Sequence, residues 1–406
     1  MSQRRWRIGV CSAALATAGV LVLPAAATAT ANGSAAPTVD KAMPASSGHS
    51  GQHGSLKPGT VQAWGANSGG QLGDGTTTNR LAPVPVTGLD RVTAIAGGGG
   101  GGYALRRDGT VWAWGTNNVG QLGDGTTSDR LTPVQVSGLN RVTAIAGGGS
   151  SGYAVRRDGT VWAWGNNSTG QLGDGTTTTS LIPVQVTGLD RVTAVAVHSY
   201  GAYALRRDGT VWAWGGNFQG QLGDGTTTNS LTPVQVSGLT RVTAIAGRGG
   251  SGYALRRDGT VWAWGDNFFG GLGDGTTDNS SAPVQVSGLS QVTAIAAGFV
   301  SGYAVRRDGT VWSWGTNDLG ELGDGTTTTR LTPVQVSGLN RVTALAAGFE
   351  NAYALRRDGT VWAWGANYAG QLGDGTTVNR LTPVQVSGLN HIAAIAAGFE
   401  AGYALR

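Results

Sequence analysis

The sequence predicts an all-β protein, a closed seven-bladed β-propeller of four-stranded antiparallel blades with one blade completed by both termini. Three observations carry this. First, the stretch Gly-Thr-Val-Trp-Ala-Trp-Gly of residues 109–115 recurs with small changes in seven copies. Its Trp-Gly pair falls at Trp64, Trp114, Trp164, Trp214, Trp264, Trp314 and Trp364, every 50 residues without slippage. Second, each copy holds four short apolar runs separated by turn residues, the pattern of a propeller blade. Third, the repeat starts at Gly59 with its third run and ends at Arg406 with its second. Joined, the ends complete one blade. An open solenoid would leave half a unit bare at each end and would want polar caps, which are absent from the sequence.

The copy beginning at Arg91 serves for all. Val92–Ala96 reads as strand one, and its small residues Ala94, Ala96 and Gly97 suit strands crowded about an axis. Residues 97–102 read as a loop and Tyr103–Arg107 as strand two. Asp108-Gly109 is a tight turn of hairpin type. In strand three, Thr110–Gly115, Val111 and Ala113 point one way and Trp112 and Trp114 the other, so both faces are buried. A long connection carrying Gly-Gln-Leu-Gly-Asp-Gly over residues 120–125 leads to strand four, Pro133–Val136. Proline opens that run in every copy, from Pro83 to Pro383, which places it at a sheet edge where a missing donor is harmless.

Ahead of the repeats, residues 1–31 read as an export signal: a basic head of Arg4, Arg5 and Arg7, an apolar run from Ile8 to Leu23, and small residues Ala29-Thr30-Ala31 for cleavage. The expected location is therefore secreted. Arg4-Arg5 suggests a twin-arginine route, but Arg7 stands where such signals prefer an apolar residue, so the route stays open. Residues 32–58, rich in Ala, Ser, Gly and Pro, read as a disordered linker in which His49 and His53 are solvated.

Composition excludes several classes. The formal charge is +5, of which Arg4, Arg5 and Arg7 supply three, leaving +2 after the signal. A nearly neutral chain gives no electrostatic case for nucleic acid, and no membrane contact is expected after signal removal. The single cysteine, Cys11, lies in the signal, so the mature chain has no disulfide and no thiol nucleophile. The four histidines, His49, His53, His198 and His391, do not recur with the repeat. No Ser-His-acid set, metal triad or phosphate loop is present, so the reading is a non-enzyme with no cofactor, no metal and a monomeric state. The repeated Asp of Gly-Asp-Gly-Thr, Asp74 to Asp374, reads as a turn former and not as a calcium ligand. In the paired arginines such as Arg106-Arg107, one is expected to meet an Asp and the other to be solvated.

The unit Gly-Thr-Val-Trp-Ala-Trp-Gly-x-Asn-x-x-Gly-Gln-Leu-Gly-Asp-Gly, with upstream Ala-Ile-Ala-x-Gly and Tyr-Ala-Leu segments, resembles the regulator of chromosome condensation repeat over Gly59–Arg406. The resemblance implies a seven-bladed propeller. It also implies, as an alternative function, guanine-nucleotide exchange on a nuclear GTPase together with chromatin binding. An exported chain does not meet those partners. Where the family often carries His, this chain has Gly101, Ser151, Gly201, Ser251, Ser301, Asn351 and Ala401, and no inserted wedge interrupts the repeats. The chain is also similar to the exported bacterial β-lactamase-inhibitory propeller, which binds its target enzyme with one face. The repeats here are longer, so that target does not carry over.

Because strands alternate in direction, the loops after strands one and three share one end of the ring and those after strands two and four the other. The second end hardly varies between copies, with Arg-Arg-Asp-Gly and Ser-Gly-Leu recurring. The first end varies, and its aromatics fall in the later copies: Tyr200, Phe218, Phe268, Phe269, Phe299, Phe349, Tyr368 and Phe399, joined by Glu350, Glu400 and the positive Arg248. Loop aromatics are preferred anchors for protein or sugar partners. The expected partner is thus a secreted or cell-surface protein, with a carbohydrate or cell-wall polymer as the second class. The competing reading is that these rings plug the loops and pack on neighbouring blades.

Overall fold

The structure, a computed structural model, describes residues 59–406. The expected export signal (1–31) and linker (32–58), with Cys11, His49 and His53, lie outside the described residues. Seven four-stranded antiparallel sheets are arranged around an axis. From the axis outward, the first complete blade is built from Val92–Gly97, Gly101–Arg106, Val111–Gly115 and Arg130–Gln135. Five blades of the same order follow. In the seventh, Ala394–Ala397 and Ala401–Leu405 form the inner half and Val61–Gly65 and Arg80–Pro85 the outer half. The joint runs from Val61 opposite Leu405 to Gly65 opposite Ala401, and the Gly59 amide donates to the Arg406 carbonyl at 2.6 Å. The inner strands of successive blades contact one another in an unbroken cycle, so the ring is closed.

Two strand starts differ from the sequence reading by more than one residue, each for a physical reason. Strand two begins at Gly101, so the first loop of that blade is residues 98–100 alone. A Cβ on Gly101 would lie 1.9 Å from the Trp114 carbonyl oxygen, so the glycine marks a close backbone approach within the sheet and not a loop. The outer strand begins at Arg130, and Pro133 lies inside it. The register jumps between the Ala113–Val134 and Gly115–Arg130 pairs, and Pro133 falls in that break, where no ladder bond needs its missing N–H.

The core lies between blades. Each hydrophobic cluster draws on two neighbours, as where Trp164 of one blade packs with Tyr103, Leu122 and Ile145. One backbone carbonyl in each long connection then clasps the pair. The Gln121 oxygen accepts from the Tyr103 hydroxyl of its own blade at 2.6 Å and from the Trp164 indole of the next blade at 2.9 Å. The rings of Tyr103 and Trp164 meet edge to face. Gln71, with Tyr403 and Trp114, makes the same clasp beside the blade that joins the termini. The acceptor is main chain, so Gly271 and Glu321 serve equally well in their copies.

Candidate functional site: the loop end of the ring

The two ends are built differently. At one, the amide of Thr116 donates to the Gly100 carbonyl and ties the long connection to the first loop of the same blade. At the other, Gly109, at φ 81°, brings its hairpin against the backbone of Arg141 in the next blade. The turn residue needing positive φ is the glycine, and the Asp108 carboxylate accepts from the Thr110 amide and hydroxyl.

The aromatics singled out in the sequence form two groups at the loop end. Phe218, Phe268, Phe269 and Tyr368 lie in the long connections and are 60%, 72%, 50% and 51% exposed. Phe299, Phe349 and Phe399 lie in the first loops of three successive blades. Their rings stack in a row, 4.5 Å and 4.3 Å between centroids, and the Phe349 amide donates to the Phe399 carbonyl. These three are half-buried, as is Tyr200, whose ring meets Phe218 edge-on at 5.9 Å. The row forms one wall of an open cavity of about 330 Å³, completed by Tyr200, Gln219 and Asp266. Asp266 is the carboxylate in its lining, and Glu350 and Glu400 follow Phe349 and Phe399 in the chain. Burial and the neighbouring Glu400 charge raise the Glu350 carboxyl above its usual value, and Glu400 accepts from the Tyr368 hydroxyl at 2.7 Å. Burial, reinforced by Glu400, pushes the Tyr368 hydroxyl upward as well.

Arg248 is not where the sequence suggested. It is fully buried, and its guanidinium reaches from its own blade to the Ala347 carbonyl at 2.7 Å and the Gly398 carbonyl at 2.9 Å, two and three blades further on. Burial pulls it down to about 9, so it stays charged at neutral pH, with no carboxylate within ion-pair distance among the described residues. His198, one repeat earlier at the same position, is also buried, and desolvation lowers its imidazole to about 3. The other five copies have glycine there: Gly98, Gly148, Gly298, Gly348 and Gly398. Two large side chains thus fill the middle of the ring where the other copies contribute none.

The repeated Asp is structural. Asp124 accepts from Thr126, Asn117 and Arg130. Burial works to raise its carboxyl, but bonds from Arg130 and Thr126 outweigh it and hold the group low. Asn117, fully buried, ties the connection together by donating to the Thr126 and Ser128 carbonyls. With these donors around it, Asp124 has little left to offer a cation; in the copies of Asp174, Asp224 and Asp274 a serine stands in place of the arginine, and Thr and Asn donors remain. Among the described residues, no group of three or more His, Cys, Asp or Glu could hold a metal ion. At the opposite end Arg106 pairs with Asp90 and lies over the Trp112 ring at 5.2 Å, while Arg107 is exposed.

A closed ring of seven such blades, with loops that vary mostly at one end, is a repeat β-propeller. The chain matches the RCC1-like domain over residues 60–404 and belongs to that family. Among solved structures it is similar to human WBSCR16, at 23% identity over 86% of this chain and 99% of that one, with a TM-score of 0.78. It is likewise similar to Prp20p from Saccharomyces cerevisiae, at 23% identity over 86% of this chain and 92% of that one, with a TM-score of 0.76. That Prp20p structure was described with its binding properties to Gsp1p and histones. At 22% identity and a TM-score of 0.76, covering 91% of this chain and 96% of its counterpart, the chain is also similar to a structure of Kap60 bound to yeast RCC1 (Prp20). No curated protein matches the chain.

Proposed function

We propose that this protein is an exported, non-enzymatic binding propeller that engages a protein partner through the loop end of the ring. The carrying observation is the set of exposed rings at one end, Phe218, Phe268, Phe269 and Tyr368, beside an aromatic-walled cavity. Large apolar side chains held in water at one surface are characteristic of interaction sites, and aromatic anchors dominate such interfaces. The carboxylate of Asp266 in the cavity lining, with Glu350 and Glu400 next in the chain to its ring wall, favours a partner that presents basic side chains there. Support for a protein rather than a sugar comes from relatives of the same fold, since the yeast Prp20p binds Gsp1p and histones. Export rests on the composition of residues 1–31. The kinship with an inhibitory propeller is part of the same proposal: the end that varies between copies is the end that selects a target.

The test is capture. The immobilised chain is offered secreted proteins and, separately, a polysaccharide panel, and is compared with a Phe218→Ser, Phe268→Ser, Phe269→Ser, Tyr368→Ser variant. A protein retained by the parent and lost by the variant, at unchanged melting temperature, is the expected result. Equal retention by both, or retention of polysaccharides alone, overturns the proposal.

A further inference from the structure

The near-neutral total charge of the described chain is the difference between two oppositely charged ends. The end formed by the hairpins after strand two and the turns into strand one carries eighteen arginines, in the copies of Arg91, Arg106 and Arg107, against eight aspartates. The loop end carries fourteen acidic side chains against five arginines, one of which is the buried Arg248. Among the described residues every Lys or Arg position is arginine. Guanidinium forks pair with phosphate in two-point geometry, which lysine does not.

Five of these arginines also stand in an unusual backbone conformation. The non-glycine residues with positive φ in the described chain are Arg91, Arg141, Arg191, Arg241, Gln291, Arg341 and His391, one per blade, at 52–58°. An L residue with a Cβ costs roughly 1–2 kcal/mol in this region, where glycine is free. All seven are exposed, so no core contact explains why a long polar side chain stands where glycine would relieve strain. Strain retained at recurring surface positions points to a use for the side chain.

Charge and shape converge between the second and third complete blades. Arg156, Arg157, Arg191 and Arg207 line a groove of about 490 Å³ together with Asp158, and Arg191 is also ion-paired with Asp190 at 3.6 Å. In the flanking blades an aspartate, Asp90 or Asp190, neutralises the stacked arginine. In this blade Asn140 takes that place, and Arg156 lies over the Trp162 ring at 4.1 Å, donates to the Gly138 carbonyl, and makes no ion pair among the described residues.

We propose that the arginine end of the ring binds a linear polyphosphate chain, seated first in this groove and continued onto the arginines of adjacent blades. A polymer fits because the cations recur at the spacing of the blades, so each added blade engages further phosphates of the same chain. The inference is independent of the loop-end partner and uses the opposite surface.

The experiment titrates the full chain with fluorescently tagged long-chain inorganic polyphosphate at 50 and 200 mM salt, with duplex DNA and anionic lipid vesicles as parallel arms. The variant is Arg157→Ala, Arg191→Gly, Arg207→Ala, with Arg341→Gly as a single-site comparison. Binding to polyphosphate that falls steeply with salt, weakens about tenfold or more in the triple variant and loses about two to three units of salt slope is the expected result. Arg191→Gly relieves strain, so an unchanged melting temperature separates lost binding from lost folding. No binding at 50 mM salt, a triple variant no weaker than Arg341→Gly, or tighter binding of DNA or vesicles than of polyphosphate overturns the proposal.

Discussion

Arginine does opposite work at the two ends of this ring. At the loop end Arg248 is buried, makes two hydrogen bonds to carbonyls of distant blades, and fills the axis. At the hairpin end Arg141, Arg241 and Arg341 are exposed in a strained backbone and carry no ion pair among the described residues. The difference teaches that residue type says little here without the radius at which the ring places it. Near the axis an outsized side chain meets the blades opposite and becomes part of the frame. At the hairpin turns a side chain of the same kind meets solvent.

The largest expected effect breaks this contrast from the loop end. Arg248→Ala leaves the Ala347 and Gly398 carbonyls unpaired beside a new void and should cost about 3 kcal/mol in urea unfolding. A cost below about 1 kcal/mol would place Arg248 outside the frame, on the same scale of unpaired-group penalties. Next in size is a pH effect at the same level of the ring. His198 is held neutral to about 3, while the unfolded imidazole protonates near its ordinary 6.5. Its contribution is therefore full above pH 6.5 and is lost as pH falls below it. Between pH 7.5 and 5.5 the parent should lose about 1.4 kcal/mol more stability than His198→Gln. Equal losses in the two chains would contradict the burial of that ring. The smallest effect sharpens the contrast from the hairpin end: Arg341→Gly should leave stability unchanged or raise it by up to about 1 kcal/mol in thermal unfolding. A clear destabilisation would show that these arginines are structural after all.

Much of the frame was legible in the chain. The alternation from Val111 to Trp114 has the two-residue period of a strand buried on both faces, and the split copy at Gly59 and Arg406 foretold the shared blade. The limits of strands two and four were not legible. Glycines such as Gly101 read as loop until the Trp114 carbonyl is seen against them, and Pro133 reads as a strand start until the register break appears. The clasp between blades left no side-chain signal, because its acceptor is a main-chain oxygen shared by Gln121, Gly271 and Glu321 alike. At the candidate site the aromatic loops were legible in the chain, but the division between exposed rings such as Phe268 and the Phe299–Phe349–Phe399 row was not. That division depends on how far each loop leans toward the axis. Arg248 was misplaced for the same reason, and summing charge along the chain concealed its separation between the ends.

On the proposed function, a protein partner is recognised at the loop end of the ring and not at the hairpin end. Amide hydrogen exchange of the chain, alone and with the captured partner bound, tests it most directly. Protection gathered at residues 198–201, 216–220, 266–270, 349–351, 366–370 and 399–401 is the predicted result. Protection confined to the hairpin turns around Arg107, Arg157 and Arg207 would contradict it.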